Sequence, residues 1–232
     1  MIKVLVIRDK ILFILAKIFL NSFESFYFLP SHQINVILKI KTNEIKNFIK
    51  HRYIENLPKN KFVWKGGWDK HTESLKTYKN YNINYYSMFE IFKKKRDYKT
   101  CIEYLKKKKM IKNEGFDSRG HKSIKELNNY FESLKKVKKS LKINGYLSQR
   151  KMKKKNPEDE IGVFIDRKGQ FLKPEDKFGG THRFAISKIL KVKYIYVRVR
   201  ATHMNYLKKI FFSKKKLSKN DRILIKSIKK LI

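Results

Sequence analysis

The sequence predicts an α+β protein built on a small mixed sheet, with helical extensions at both ends. Three observations carry that class. Ile34, Val36, Leu38 and Ile40 alternate with mostly polar residues, and so do Ile195, Val197 and Val199, which is the period of half-buried strands. Ile124, Leu127, Phe131, Leu134, Val137 and Leu141 instead recur at helical spacing for about five turns. Strand and helix signals are interleaved, and no internal repeat separates them.

Taken in order, the elements are these. Residues 11–20 are apolar except for Lys17, and Lys10, Lys17, Asn21 and Glu24 stack as one narrow polar stripe, so residues 1–30 read as an amphipathic helix. Such a helix packs on the domain or lies in a membrane interface; no uncharged run is long enough to span one. After the first strand, Ile45, Phe48 and Ile49 return to helical spacing. Trp64-Lys65-Gly66-Gly67-Trp68-Asp69 is a turn holding both tryptophans. From there to about residue 112 the period is helical, with Tyr85, Met88, Phe89 and Phe92 on one stripe and Ile102 and Leu105 opening another. Ser123 and Glu126 form a capping box for the long helix, in which each satisfies the other's backbone donor. Gly145 suits its left-handed end. A basic linker over 150–155 leads to a buried strand over 161–165, a turn at Asp166-Arg167-Lys168-Gly169 and a return strand from Phe171. Gly179-Gly180-Thr181 opens a helix whose Ala185, Ile186, Ile189 and Leu190 face inward, and the last strand follows. Residues 206–232 are Lys-studded and apolar, one or two helices. The organisation is therefore 1–30, the amphipathic helix; 31–122, mostly helical around the Gly-Gly-Trp-Asp turn; 123–205, the mixed domain; and 206–232, a basic helical tail.

Composition narrows function. Of 232 residues, 58 are Lys or Arg against 20 Asp or Glu, a net charge of +38. With 41% hydrophobic residues and 14% aromatics the chain is no disordered polycation. The single cysteine, Cys101, excludes an internal disulfide framework and any Cys-cluster metal site, and a reducing, cytoplasmic setting is expected. The charge suits a polyanion, yet 48 of the basic residues are Lys and 10 Arg, a balance that A/T-biased coding also produces. Both readings stay open.

The last third carries the chemistry. Two glycines leading into a helix gather free backbone N–H groups at the positive end of its dipole, a setting for phosphate. Thr181 caps that helix, and His182 and Arg183 add directed donors in its first turn, where Arg grips phosphate bidentately. A plain turn with a satisfied His is the alternative.

The order long helix, Gly145, strand, turn, strand, Phe178-Gly179-Gly180-Thr181-His182-Arg183-Phe184-Ala185, strand resembles the ParB/sulfiredoxin superfamily. Ser140-Leu141-Lys142-Ile143-Asn144-Gly145 looks like the helix end of ParB-like domains. The sulfiredoxin turn Phe-Gly-Gly-Cys-His-Arg is matched at all but one position. The similarity is closest to a bacterial and archaeal ParB-like group with a Gly-Gly-x-Trp-Asp-like motif upstream, answered here by Gly66-Gly67-Trp68-Asp69 with one residue missing. That group also has His-Arg-x-Ala at the helix start and Arg/His after the last strand, answered by residues 182–185 and 198–203. The good match covers about 120–205. Thr181 stands where sulfiredoxin has its catalytic cysteine, so sulfinic-acid repair is not expected. A partition clamp is not expected either, because the paired glutamate and arginines of those turns and a downstream helix-turn-helix are missing.

What the resemblance implies is a site for a nucleotide or another phosphorylated ligand: a nucleoside triphosphate, with Mg2+ where the phosphates carry it. The phosphates would lie on Gly179, Gly180, Thr181, His182 and Arg183. Ser140 matches the family's Ser on the preceding helix, and Lys136, spaced to share a face with Ser133 and Ser140, is a further candidate. Some superfamily members are kinases that use a carboxylate base; Asp69, Glu160 and Asp166 are the candidates here, with Asp69 favoured for following the Gly-Gly turn. Whether the chain transfers phosphate or only binds it stays open. The alternative is a non-catalytic protein that binds DNA or RNA through the basic runs 93–109, 135–155 and 208–230. Contact of residues 1–30 with a membrane surface is a further expectation.

Overall fold

The computed structural model describes residues 29–80, 82–153, 156, 159–175 and 179–230. The helix expected over 1–30 therefore lies almost wholly outside the described residues, as does Phe178.

The chain is α+β, as the patterning predicts, around one mixed sheet. Its strands are β1 (Val36–Lys41), β2 (Asn47–Ile49), β3 (Val63–Trp64), β4 (Thr72–Ser74), β5 (Ile161–Ile165), β6 (Phe171–Pro174) and β7 (Tyr194–His203), in the order β1-β7-β5-β6-β2-β4. β3 continues the β1 side by pairing with the end of β7, parallel, at Val63–Thr202. β5 and β6 are an antiparallel hairpin, and β7 returns parallel to β5. The helices are α1 (Ile83–Phe92), α2 (Ile102–Glu114), α3 (Ile124–Asn144), α4 (Thr181–Ile189), α5 (Met204–Phe211) and α6 (Lys219–Lys229).

The strand expected around Ile34–Ile40 is β1, but the sheet is larger than expected because residues 47–74 supply β2, β3 and β4 as well. Ile45, Phe48 and Ile49 keep helical spacing, yet Asn47–Ile49 is β2, held between β6 and β4. The sheet draws strands from both sides of the boundary expected near 122. The tail is not appended to the domain: Leu207, Ile210, Leu224 and Ile228 are buried in the main core.

Ile161, Val163 and Ile165 of β5, with Val197 and Val199 of β7, face that core and the helices packed over it. Phe164, Leu172 and Ala201 meet Trp64, Trp68, Ile49 and Ile54 in a second, smaller core. Phe164 alternates with Val163 and Ile165 along β5, so the two cores lie on opposite faces of the sheet.

Two helices depart from the apolar-inside rule. In α1 the buried side chains are Ser87, Met88, Glu90 and Ile91, with Arg96 placing a nitrogen 2.6 Å from Glu90. In α2 the expected stripe is reversed: Ile102 and Leu105 are 47% and 51% exposed, while Glu103, Tyr104 and Lys107 are buried. The long helix α3 follows expectation, burying Leu127, Phe131, Leu134 and Leu141. Its Ser123 hydroxyl accepts the Glu126 N–H at 3.2 Å, but Glu126 reaches Lys122 N rather than completing the box. Gly145 has the positive φ expected, +64°, with ψ at −163° instead of the left-handed helical value.

Candidate functional site

The Gly-Gly turn is fixed onto the start of β5. Gly162 N–H reaches Gly179 O at 3.4 Å, and Gly180, at φ +74°, lies so close that an added Cβ would stand 2.6 Å from Ile161 Cα. Glycine is required there for left-handed φ and for strand–turn packing. Gly180 is itself the N-cap and has no side chain to offer, and among the described residues no side chain caps α4. Thr181 is thus the first helical residue and not the cap expected of it. A cap without a side chain leaves the N–H groups of the first turn without an intrahelical partner.

Those groups open on a cleft of about 840 Å³. Gly179, Gly180, Thr181 and His182 form one wall; Glu103, Lys106 and Lys107 of α2 form another, continued by Ser118 and Arg119. Asn82, Glu175 and His51 complete the rim. Glu175 is held in place: its carboxylate accepts the His51 N–H at 2.8 Å, and its carbonyl accepts from Tyr78 and Asn82.

The inverted face of α2 explains itself here. His182 is buried, with Nε2 at 2.9 and 3.1 Å from the Glu103 carboxylate oxygens. Lys107 Nζ lies 3.2 Å from Asp117 Oδ2 and 3.1 Å from Ser118 Oγ. Asp117 also accepts the backbone N–H groups of Arg119 and His121 and faces His121 Nδ1 at 2.9 Å. Burial opposes charge on Asp117, but these hydrogen bonds and Lys107 outweigh it and hold the carboxyl at about 2. The loop over 115–122 is thereby fastened to α2, which sets Arg119 on the cleft.

Of the residues singled out in the sequence, Gly179, Gly180, Thr181 and His182 come together on this cleft; the others do not. Arg183 turns the other way, donating to Asp159 O and lying 3.2 Å from Asp159 Oδ2, 3.4 Å from Tyr146 OH and 3.6 Å from Glu160. Ser140 and Lys136 do not line the cleft, Lys136 being exposed on α3. Asp69 lies beyond the opposite end of β5, in a knot of its own. Arg167, just past β5, donates to it through Nε, Nη2 and its backbone N, at 2.5–3.0 Å, and His203 Nε2 stands 3.8 Å away. Burial again opposes charge, and Arg167 above all keeps Asp69 below the usual carboxylate range. The five residues of β5 separate the two sites, roughly 16 Å at ~3.3 Å each.

The remaining carboxylate candidates are also engaged elsewhere. Glu160 accepts from Tyr146 OH at 2.9 Å and Gln149 N at 2.6 Å, and its burial raises its pKa. Asp166 Oδ1 closes its own turn by accepting from Lys168 N and Gln170 N. Among the described residues, the carboxylates that line the cleft are Glu103 and Glu175. Glu103 and Lys107 were legible as an i, i+4 pair among four lysines, but nothing in the sequence turns that pair inward. Comparison with family models, curated proteins and solved structures gave no match.

Proposed function

We propose that the chain binds a nucleoside triphosphate, or another phosphorylated ligand, in the cleft at the start of α4, in the manner of the ParB/sulfiredoxin-like proteins it resembles. The observation that carries this reading is the uncapped first turn of α4 opening on a cleft with Lys106, Lys107, Arg119 and His182 around it. Phosphate there meets backbone donors, a helix dipole and side-chain cations together. The succession α3, Gly145, β5, β6, α4, β7 supports the family resemblance.

Among the described residues, Glu175 is the cleft carboxylate not tied to His182, so it fits as a ligand for a Mg2+ carried by the phosphates. Phosphoryl transfer, if the cleft performs it, draws its carboxylate from Glu103 or Glu175 in preference to Asp69, whose oxygens are engaged by Arg167. The test is calorimetric titration with the four common triphosphates. Saturable heat with at least one is expected, and Lys106→Ala, at an exposed rim position, should weaken it about fivefold, about 1 kcal/mol. Absence of heat at millimolar ligand with all four overturns the reading.

A second reading has support from α2, where Lys106, Lys108, Lys109 and Lys112 are all exposed beside the cleft. These fit a polyanion laid along the helix. Binding of DNA or RNA without sequence preference, falling steeply with salt, is the expected result.

A further inference from the structure

The side of α2 turned away from the core combines two residue types that the fold does not call for together. At 3.6 residues per turn, Ile102, Leu105, Lys109 and Lys112 fall within about 80° of one another, opposite the buried Glu103, Tyr104 and Lys107. Lys106 and Lys108 flank that row, one on each side, and both are exposed. Ile102 and Leu105 are about half exposed, and Phe116, just past Gly115 at the helix end, is 52% exposed. Of the seven large apolar side chains exposed among the described residues, three therefore fall between 102 and 116. Single apolar residues at a surface are ordinary, but a cluster set among charges of one sign marks a contact surface.

The inversion of α2 does not account for this face. Glu103 and Lys107 turn inward to meet His182 and Asp117. That places no demand on the outer positions, where Lys or Gln would hold the helix as well as Leu and better than Ile. The charges have no internal use either. Among the described residues no ion pair engages Lys106, Lys108, Lys109 or Lys112. From 93 to 112, nine Lys or Arg side chains are exposed against one acid, Asp97, so the field over this surface favours an anionic partner.

An anionic partner that also covers Ile102 and Leu105 needs an apolar layer behind its charges. A nucleic-acid backbone laid along α2 meets the lysines and gives the apolar pair nothing to enter. A lipid bilayer supplies both at the right depths. Apolar side chains enter the boundary of headgroups and acyl chains, while lysine stems lie beside them and the ammonium groups rise to the phosphates. We propose that α2 docks by this face on an anionic membrane surface and lies in its plane. No helix among the described residues is long and apolar enough to cross a membrane. The row from Ile102 to Lys112 covers about 15 Å at ~1.5 Å per residue, so the contact is shallow and reversible. It does not depend on the cleft holding phosphate.

The experiment is sedimentation of the full chain with vesicles of phosphatidylcholine alone or with about 30% phosphatidylserine, over a salt series. The chain should pellet with the mixed vesicles and far less with the neutral ones, because each Lys near an anionic leaflet is worth about fivefold in partition. Ile102→Gln with Leu105→Gln should cut partition into the mixed vesicles about tenfold. The same pair, at exposed positions, should leave thermal unfolding and binding of a DNA duplex unchanged. Lys109→Gln with Lys112→Gln should cut vesicle partition about twentyfold. Failure of the parent chain to bind the mixed vesicles overturns the proposal. So does partition that the Gln pair at 102 and 105 leaves unchanged, since the contact would then lie on another part of the chain. A chain that binds duplex DNA and ignores the vesicles makes this face a nucleic-acid surface instead. Triphosphate titration of the cleft stands apart from all of these outcomes.

Discussion

The two ends of β5 hold two clusters of ionisable residues that look alike in sequence and differ in what they leave undone. Beyond Ile165, Asp69, Arg167 and His203 close on one another: Arg167 spends its Nε, Nη2 and backbone N–H on Asp69, and His203 Nε2 reaches Gly66 O at 2.9 Å. Before Ile161, the start of α4 has no side-chain cap among the described residues, and Glu103, Lys106 and Arg119 edge an open cleft. A cluster whose donors and acceptors are matched internally is a fastening. One that leaves helix donors facing a cavity is a place for a ligand. Residue identity does not separate the two; the balance of bonds does.

That distinction predicts opposite signatures for mutations at the two ends. The largest effect belongs to the knot. Arg167→Ala strips Asp69 of its guanidinium partner and leaves a buried carboxylate with one backbone N–H at 2.9 Å and His203 at 3.8 Å. The expected loss is about 3–5 kcal/mol of stability, read as a lower urea midpoint at unchanged slope, with triphosphate affinity of the folded protein unaltered. A variant that unfolds normally but loses ligand would move Asp69 back into the functional site.

Next comes the turn that carries the cleft. Gly180→Ala puts a Cβ 2.6 Å from Ile161 Cα at a residue whose φ is +74°, so either the strand or the turn must shift. About 2–3 kcal/mol of stability should go, from steric overlap and left-handed strain. Affinity should fall too, because the first-turn N–H groups move with the backbone. Thermal unfolding with and without triphosphate separates these: the variant should gain less from ligand than the parent. An equal gain would mean that those N–H groups do not touch phosphate.

The third test concerns the fastening behind the cleft. Asp117 is held at about 2, below its usual 3.8, so its contribution is fully present above about pH 4 and is lost as pH falls through 2. The expected amount is about 2 kcal/mol. Asp117→Asn should already lack it at neutral pH and show a correspondingly flatter acid limb in urea unfolding. A variant with the parent's acid limb would place the acid-labile contact elsewhere.

Legibility in the sequence follows the same physics. β1, β7 and the long helix α3 were readable because each buries apolar residues at the period of its own backbone, and β5 and β6 because short apolar runs flank a turn. Asn47–Ile49 was not, since three residues at a sheet position have no period, and β6 decides their state. α2 misled for the opposite reason. Ile102 and Leu105 suggest an inner face, while the buried side is Glu103 and Lys107, whose partners His182 and Asp117 are 79 and 10 residues away. A charged residue can be placed inside only when its partner is known, and a sequence does not name partners. The Gly-Gly-Thr-His start of α4 was readable because local backbone chemistry defines it. Arg183, next along, was not: its direction is set by Asp159 and Tyr146.

Thr181 should give the smallest change in stability and for that reason the sharpest contrast between the two ends of β5. As a cap its hydroxyl would hold a first-turn N–H, and Thr181→Ala would cost about 0.5–2 kcal/mol. The cap is Gly180, however, and among the described residues no hydrogen bond from a side chain closes α4. Thr181→Ala should therefore leave stability within about 0.5 kcal/mol of the parent, the range of substitutions that remove no structural bond. Thr181 lines the cleft at the first turn of α4, so if its hydroxyl meets phosphate the same variant should bind triphosphate about three- to tenfold more weakly, the worth of one hydrogen bond. Thr181→Ser, which keeps the hydroxyl, should restore most of that. Paired urea and calorimetric measurements on the two variants check it. A stability loss above about 1 kcal/mol with affinity unchanged would make Thr181 a part of the fold in the way Asp69 is, and the start of α4 a second fastening.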